Sequence, residues 1–217
     1  LDFVIAIDGP AASGKGTIAA GLGRELSLPV LDSGLLYRAV GVTLLRRGGD
    51  LADAAAAAET ARALDPAGLE DPAFRTREAG EAASRVAAYP EVRRALLEFQ
   101  RSFAAQAGGA VIDGRDIGTV IAPDAPAKLF VTATPEVRAE RRHRQLKGQG
   151  EEVGYEEVLA DIRRRDERDS SRAASPLVKA EDAALLDTTQ MSISQAADAA
   201  RRIVEEARAR WEASRRG

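Results

Sequence analysis

Residues 5–17 read Ile-Ala-Ile-Asp-Gly-Pro-Ala-Ala-Ser-Gly-Lys-Gly-Thr, and no other stretch limits the possible folds so sharply. Phe3, Val4, Ile5 and Ile7 make a short apolar run, the mark of a strand buried on both faces. Gly9 breaks it, the loop runs to Gly14, and a helical pattern opens at Lys15 and continues over 18–28. Strand, glycine loop and helix together form a cradle for phosphate. Small residues let backbone N–H groups turn inward, and the new helix adds free donors and the positive end of its dipole. Gly9, Pro10, Ala11, Ala12, Ser13, Gly14, Lys15, Gly16 and Thr17 are therefore the candidate contacts to a nucleoside triphosphate, with Lys15 reaching its outer phosphates. Gly16 stands where Ser or Thr is usual, and Thr17 follows one place later. The competing reading is a Gly/Ser-rich surface turn, which needs neither a buried strand before it nor a helix after it.

Composition removes several chemistries. With 217 residues, 45% hydrophobic and 30% charged, the chain suits one globular domain (1–217) with ample core. A net charge of −3 gives no whole-surface attraction for nucleic acid. The absence of cysteine excludes disulfides, thiolate metal sites and a cysteine nucleophile. The single histidine, His143, excludes a multi-histidine zinc site; it lies among arginines on an expected helix and reads as solvated. No stretch approaches the roughly 20 apolar residues of a membrane span. Leu1 and Asp2 lead straight into the first strand without a signal peptide, so a cytoplasmic location is expected. No exposed apolar stripe stands out, so a monomer is expected.

Further strands are predicted at 29–32, 110–113, 128–133 and 184–187. Helices are predicted at 35–47 behind Ser33 as N-cap, then at 50–64, 77–88, 91–107, 135–147 and 155–172. Residues 65–76, with Pro66, Gly68 and Pro72, read as loop. On a last helix Ile193, Ala196, Ala197, Ala200, Val204, Ala207 and Trp211 share one face, read as core packing. Strands alternating with helices imply an α/β fold with a parallel, doubly wound sheet of five strands and helices on both faces. Ligands of such sheets sit outside the carboxyl ends of the strands. Asp8-Gly9, Asp32-Ser33, Asp113-Gly114-Arg115-Asp116 and Asp187 should open on that edge.

The arginines give the second constraint. Arg38 follows the second strand and Arg115 the third; Arg138, Arg141, Arg142 and Arg144 follow the fourth, and the run 163–172 precedes the fifth. Two polyanions brought together for phosphoryl transfer need such permanently charged, bidentate groups, and a phosphate acceptor, already ionised, needs no general base. Arg165, Asp169 and Arg172 share a helix face that Val158 and Ile162 continue backwards, as in a helix leaving the core and entering a site. A solvated, salt-bridged face satisfies the same periodicity.

Taken together, Ile7 to Thr17, Leu31-Asp-Ser-Gly-Leu-Leu-Tyr-Arg38, Ala82-Ala-Ser-Arg-Val-Ala87, Val92-Arg93, Asp113-Gly-Arg-Asp-Ile-Gly-Thr-Val120, Arg165-Asp-Glu-Arg-Asp-Ser-Ser-Arg172 and Leu186-Asp-Thr-Thr189 resemble the bacterial cytidylate kinases, P-loop nucleoside monophosphate kinases. The matches span nearly the whole chain in order. The resemblance implies a P-loop NTPase-type sheet, a helical monophosphate-binding region over about 35–107 and a short lid around 148–154. It implies transfer of the ATP γ-phosphate to CMP or dCMP with Mg2+. Lys15, Arg115, Arg141 and Arg172 would carry catalysis, and Thr17 would stand near the phosphates and magnesium. Ser33, Arg38, Arg115 and Arg172 would hold the CMP phosphate, with Arg165 and Asp169 on the ribose. Ser84, Arg93 and Asp116 would read cytosine, with Tyr37 either lining that pocket or packing as a plain aromatic. Arg141 and Arg142 would belong to the lid, Arg142 on the ATP side; Gly148, Gly150 and Gly154 suit a moving lid or an inert loop alike. The family's β-rich insertion before Phe74-Arg75-Thr76 is expected to be reduced. Two other readings stay open: a kinase of another monophosphate or of a small hydroxyl-bearing metabolite, and a regulatory module that binds nucleotide without transferring it.

Overall fold

The computed structural model describes residues 2–216, with the backbone alone at residue 67; Leu1 and Gly217, the ends of the expected domain, lie outside the described residues. Among the described residues five strands form one sheet: β1 (Val4–Asp8), β2 (Val30–Asp32), β3 (Ala110–Gly114), β4 (Ala127–Thr132) and β5 (Ala184–Asp187). Their order is β2-β3-β1-β4-β5 and every pairing is parallel, as the alternation of apolar runs and helices predicts. β1 lies at the centre. Ile5 pairs with Val111 on one side and Ala127 on the other, and Asp8 with Gly114 and Phe130. The carboxyl ends of β1, β2 and β3 therefore meet at one edge.

A strand alternates its side chains, and here both faces are covered. Ile5 and Ile7 pack with Ile18 and Leu22 of α1 (Lys15–Leu26) and with Ala200 and Val204 of α8 (Ile193–Ser214). Val4 and Ala6 join Leu31, Ile112 and Ile117 in the opposite layer. Ile5 and Ile7 are fully buried, each stabilising by about 1.5–3 kcal/mol. Two smaller cores stand apart from the sheet. One joins α2 (Ser33–Arg46), α3 (Ala54–Arg62), α4 (Arg77–Val86) and α5 (Pro90–Ala104) around Leu36, Val86 and Val92. The other joins the hairpin of α6 (Pro135–Gly148) and α7 (Tyr155–Ser171) around Leu146, Val158 and Ile162.

Several boundaries differ from the sequence reading. The cap of α2 is Asp32, whose extended backbone lets its carboxylate accept from the Gly34 N–H, so Ser33 is the first helical residue. Asp53 caps α3 in the same way, which starts that helix at Ala54 instead of residue 50. Within 65–76 the chain makes two short 3-10 turns, Pro66–Gly68 and Pro72–Arg75, with no strand among the described residues there. Ala196, Ala200, Val204 and Ala207 of α8 are buried as expected, but Ile193 is 77% exposed and Ala197 is exposed as well. The first turn of α8 reaches past the sheet edge, where no layer covers it, and both residues line the cleft described next.

Candidate active site

A cleft of about 1270 Å³ opens at the carboxyl ends of the strands. Residues 11–18 form one wall; Arg38 of α2, Arg115 in the turn after β3, Arg141 and Arg142 of α6 and Arg165 of α7 face it. The fold has thus drawn together arginines separated by more than a hundred positions.

The loop between β1 and α1 curls by means of left-handed residues. Gly9 has φ 152° and its hydrogen faces the Val131 carbonyl so closely that a Cβ there would lie 2.0 Å from the oxygen. Gly14 (φ 94°) leads into α1, and Ala12 adopts φ 59° despite its side chain. Lys15 is buried, its Nζ donating to the Pro10 carbonyl at 3.2 Å. Thr188 Oγ1 and Arg141 Nη1 hold the Ser13 carbonyl from outside, at 3.1 and 3.5 Å. Arg141 also donates to Thr188 Oγ1 (2.9 Å) and O (2.7 Å), so it is fixed against the loop. Thr17 is exposed. Burial, then the Arg115 charge, pushes the Lys15 ammonium down to about 7. Burial, then neighbouring Asp32, pushes the Asp113 carboxyl up to about 7.

Asp169 organises the opposite wall. Arg115 Nε donates to its Oδ2 at 2.9 Å, Arg165 Nε lies 4.0 Å from the same oxygen, and Arg172 Nη1 is 3.7 Å from Oδ1. Burial would raise the Asp169 carboxyl, but Arg115, Arg165 and Arg172 together leave it below its ordinary value. Arg172 also donates to the Ser175 carbonyl (2.9 Å). Arg165 Nε and Arg172 Nε are buried without a partner. Burial lowers the Arg165 guanidinium to about 9 and that of Arg38 to about 10. Arg38 is steadied by the Phe74 and Thr76 carbonyls at 3.2 and 3.0 Å. This is a surplus of positive charge facing loop 9–17.

Ser33, Tyr37, Ser84, Arg93, Asp116, Asp169 and Arg172 are buried and do not line the open cleft. Arg93 pairs with Asp116 and donates to the Ala87 carbonyl; its guanidinium lies 5.3 Å from the centre of the Tyr37 ring. Tyr37 is thus packed in the α2–α5 core, with its ring against the Arg93 guanidinium. Ser84 Oγ and Arg93 Nε have no partner. Buried polar atoms left unpaired mark a place where a ligand's polar edge fits.

The arginines after β4 separate. Arg141 and Arg142 lie on α6, before the 149–154 loop and not inside it. Arg142 donates to Gln145 (2.9 Å), and burial lowers its guanidinium; Arg144 pairs with Glu140 on the exposed face. Arg138 is buried and turned from the cleft. His143 is half-buried and not solvated: its Nε2–H donates to the Val153 carbonyl (3.0 Å) and the ring meets Tyr155 edge-on. Sequence reasoning placed Asp8 and Asp113 on this edge but assigned them no individual role. Asp8 accepts from the N–H groups of Ile117 and Gly118, both at 2.7 Å, holding the turn that follows Arg115-Asp116. Asp8 is the last residue of β1 and Asp113 the last but one of β3, the strand-end placement that put both on this edge in the sequence.

The donor set can be tested for a hard divalent cation. Asp113 and Thr17 offer oxygen ligands beside the loop, and the raised Asp113 carboxyl is one a nearby cation would ionise. Among the described residues no group of three or more carboxylates or imidazoles forms a cage. The two oxygens of Asp113 and Thr17 fit Mg2+, which is usually held by one or two protein oxygens, water and substrate phosphates.

A family model described as cytidylate kinase matches residues 5–206. A cytidylate kinase of Caulobacter sp. is 65% identical over 97% of this chain and 98% of its own length. One from Xanthobacter autotrophicus is 66% identical over 95% of this chain and 99% of its own. An uncharacterised protein from Eubacterium ventriosum, solved by crystallography, aligns over 95% of this chain and 99% of its own with a TM-score of 0.55 and 16% identity, a likeness of fold alone.

Proposed function

The chain belongs to the cytidylate kinase family, and on that premise we propose that it transfers the γ-phosphoryl group of ATP to the phosphate of CMP or dCMP. One observation carries the assignment to particular residues: loop 9–17 and the Arg38, Arg115 and Arg165 guanidiniums face each other across one cleft. An anion on each side is the state that relieves the lowered Lys15, Arg38 and Arg165 groups.

ATP lies with its phosphates in the loop, under the N–H groups of residues 11–17 and against Lys15. The CMP phosphate is held by Ser33, Arg38, Arg115 and Arg172. Asp169 and Arg165 meet the ribose. Ser84, Arg93 and Asp116 take the base: the carboxylate accepts from the cytosine amino group, and the arginine donates to N3 and O2. Uracil mismatches both contacts, and unpaired buried polar groups make the discrimination large. An oxygen of the CMP phosphate forms the new bond to the γ-phosphorus while the bond to the β–γ bridging oxygen breaks. Arg115 and Arg172 balance the charge on the acceptor side, Lys15 and Arg141 on the donor side. Mg2+, held through Thr17 and Asp113, supplies further neutralisation of the phosphates when bound.

The unit is one domain, with 35–107 as the monophosphate-binding region and 148–154 as the tip of the lid. Arg142 joins the ATP side when the lid closes and excludes water. No helix among the described residues is long and apolar enough to cross a membrane. We place the enzyme in the cytoplasm as a monomer, a state that sedimentation at micromolar concentration tests. The deciding assay couples ADP release to CMP, dCMP, UMP, AMP and GMP in turn. Fast turnover with CMP and dCMP, weak with UMP and none with purines, is expected. Strong turnover with another monophosphate overturns the base assignment. ADP release that no monophosphate stimulates overturns the kinase reading.

A further inference from the structure

Arg138 carries the most complete set of contacts of the α6 arginines, yet it does not itself line the cleft. It is 3% exposed. Its Nε donates to the Ala133 carbonyl at 2.8 Å, and its Nη1 to the Ala11 carbonyl at 3.2 Å and to Asp166 Oδ1 at 2.9 Å. Its Nη2 closes the bidentate pair on Asp166 Oδ2. Every nitrogen of the guanidinium is engaged. A residue that only glued α6 to α7 would need the carboxylate alone, and the bond to Ala11 reaches 127 residues back into the phosphate loop.

We infer that Arg138 is a positioning residue for the donor site: it aims the Ala11–Ala12 peptide at the phosphates and ties that peptide to the acceptor helix α7. The geometry follows from the planar peptide. In a trans peptide the C=O of one residue and the N–H of the next point in opposite directions. A guanidinium holding the Ala11 oxygen on the outside therefore turns the Ala12 N–H to the inside of the loop. Ala12 needs such a hold, because its left-handed φ of 59° is costly for a residue with a Cβ. The Ser13 carbonyl is pinned outward likewise by Thr188 and Arg141, which turns the Gly14 N–H inward. At the other end of the strut, Asp166 lies between Arg165 and Asp169 on α7. The helix that meets the acceptor is thus tied directly to the loop that holds the donor.

This rests on the reading that loop 9–17 binds the triphosphate, so the test separates the two. Binding of AMP-PNP with Mg2+ and of CMP is measured by calorimetry, each alone, for the wild type, Arg138→Met and Asp166→Asn. KM for ATP and CMP is measured alongside. Arg138→Met keeps the apolar stem and removes every donor. It is expected to weaken AMP-PNP at least tenfold and raise KM for ATP in proportion, with CMP affinity within threefold of wild type. Asp166→Asn removes the charge that seats the guanidinium and is expected to weaken AMP-PNP at least threefold. A folded Arg138→Met that binds AMP-PNP within twofold of wild type overturns the inference. So does equal weakening of both ligands, which is the signature of a merely structural role. If Arg138→Met does not fold, Asp166→Asn decides, and AMP-PNP binding within twofold of wild type overturns it. A wild-type protein that fails to bind AMP-PNP overturns the loop assignment instead.

Discussion

Arg93 and Asp116, 23 positions apart, close on each other in a buried ion pair at side-chain exposures of 9% and 6%. Each is also a proposed reader of cytosine, so the free enzyme keeps its base pocket charged by pairing the readers with one another. Removing one partner of such a pair strands the other and costs about 3–5 kcal/mol. Asp116→Asn is expected to lower kcat/KM for CMP about a hundredfold and to cut the CMP-to-UMP preference at least tenfold, at unchanged KM for ATP. Arg93→Met combined with Asp116→Leu should recover the melting temperature and not the activity. A double variant that phosphorylates CMP at the wild-type rate would remove both residues from the pocket.

Asp169 is the carboxylate that three arginines, Arg115, Arg165 and Arg172, share within 4.0 Å. Its lowered carboxyl has a definite consequence of sign. The stability it contributes is present above its unfolded value of about 3.9 and is lost as pH falls through its lower folded value. Asp169→Asn lacks that contribution at neutral pH and should be destabilised by about 3–5 kcal/mol. Saturating inorganic phosphate should restore part of the loss by supplying negative charge to the same guanidiniums. Melting curves with and without phosphate check this; a variant as stable as wild type in plain buffer contradicts it.

Lys15 and Asp113 predict a proton balance. With the ammonium lowered to about 7 and the carboxyl raised to about 7, both groups titrate in the neutral range. A triphosphate arriving without magnesium adds negative charge beside both groups and raises both values. Binding must then take up protons at pH 8, and affinity must fall as pH rises above 7. Calorimetry of magnesium-free AMP-PNP in buffers of different ionisation enthalpy reads the uptake directly. Proton release at pH 8 would contradict the electrostatics of the loop.

The helices α4 and α7 are linked by Arg168 with Glu81 and by Arg77 with Asp161 and Glu157. Arg168 and Glu81 are 31% and 55% exposed, where an ion pair is worth about 0.2–1 kcal/mol. Arg168→Ala should therefore shift stability by less than about 1 kcal/mol, the difference vanishing in 1 M salt. Chemical denaturation at low and high salt measures it. A loss of several kcal/mol would mean that the pair carries structural weight its exposure does not suggest.

Much of the fold was legible because its signals are local. β1 is apolar throughout and ends in Gly9, so strand and turn are written side by side. Parallel pairing followed from helices standing between strands. The ionic stripe was readable too, since Val158 and Ile162 of α7 hand over to Asp169 at helical spacing and to Arg172 just past the end of the helix, and all four are buried. Amphipathic spacing does not reveal where the neighbouring layer stops, and so Ile193 and Ala197 were misread as core. The cap of α2 was misplaced by one residue because Asp32 and Ser33 are both good caps, and only the backbone angles choose between them.

What the sequence determined by itself was the chain of elements, the phosphate loop and the set of charged residues brought to one sheet edge. Those depend on steric preferences and apolar periodicity within a few turns of chain. Only the tertiary structure decided what each charge does. α6 is polar around most of its circumference, so no stripe says which of Arg138, Arg141, Arg142 and Arg144 turns inward. That choice was made by Asp166 and the Ala11 carbonyl for Arg138, and by Thr188 and the Ser13 carbonyl for Arg141. These partners lie 28 to 128 residues away, and a guanidinium follows whichever carboxylate and carbonyls the packed layers place within its reach.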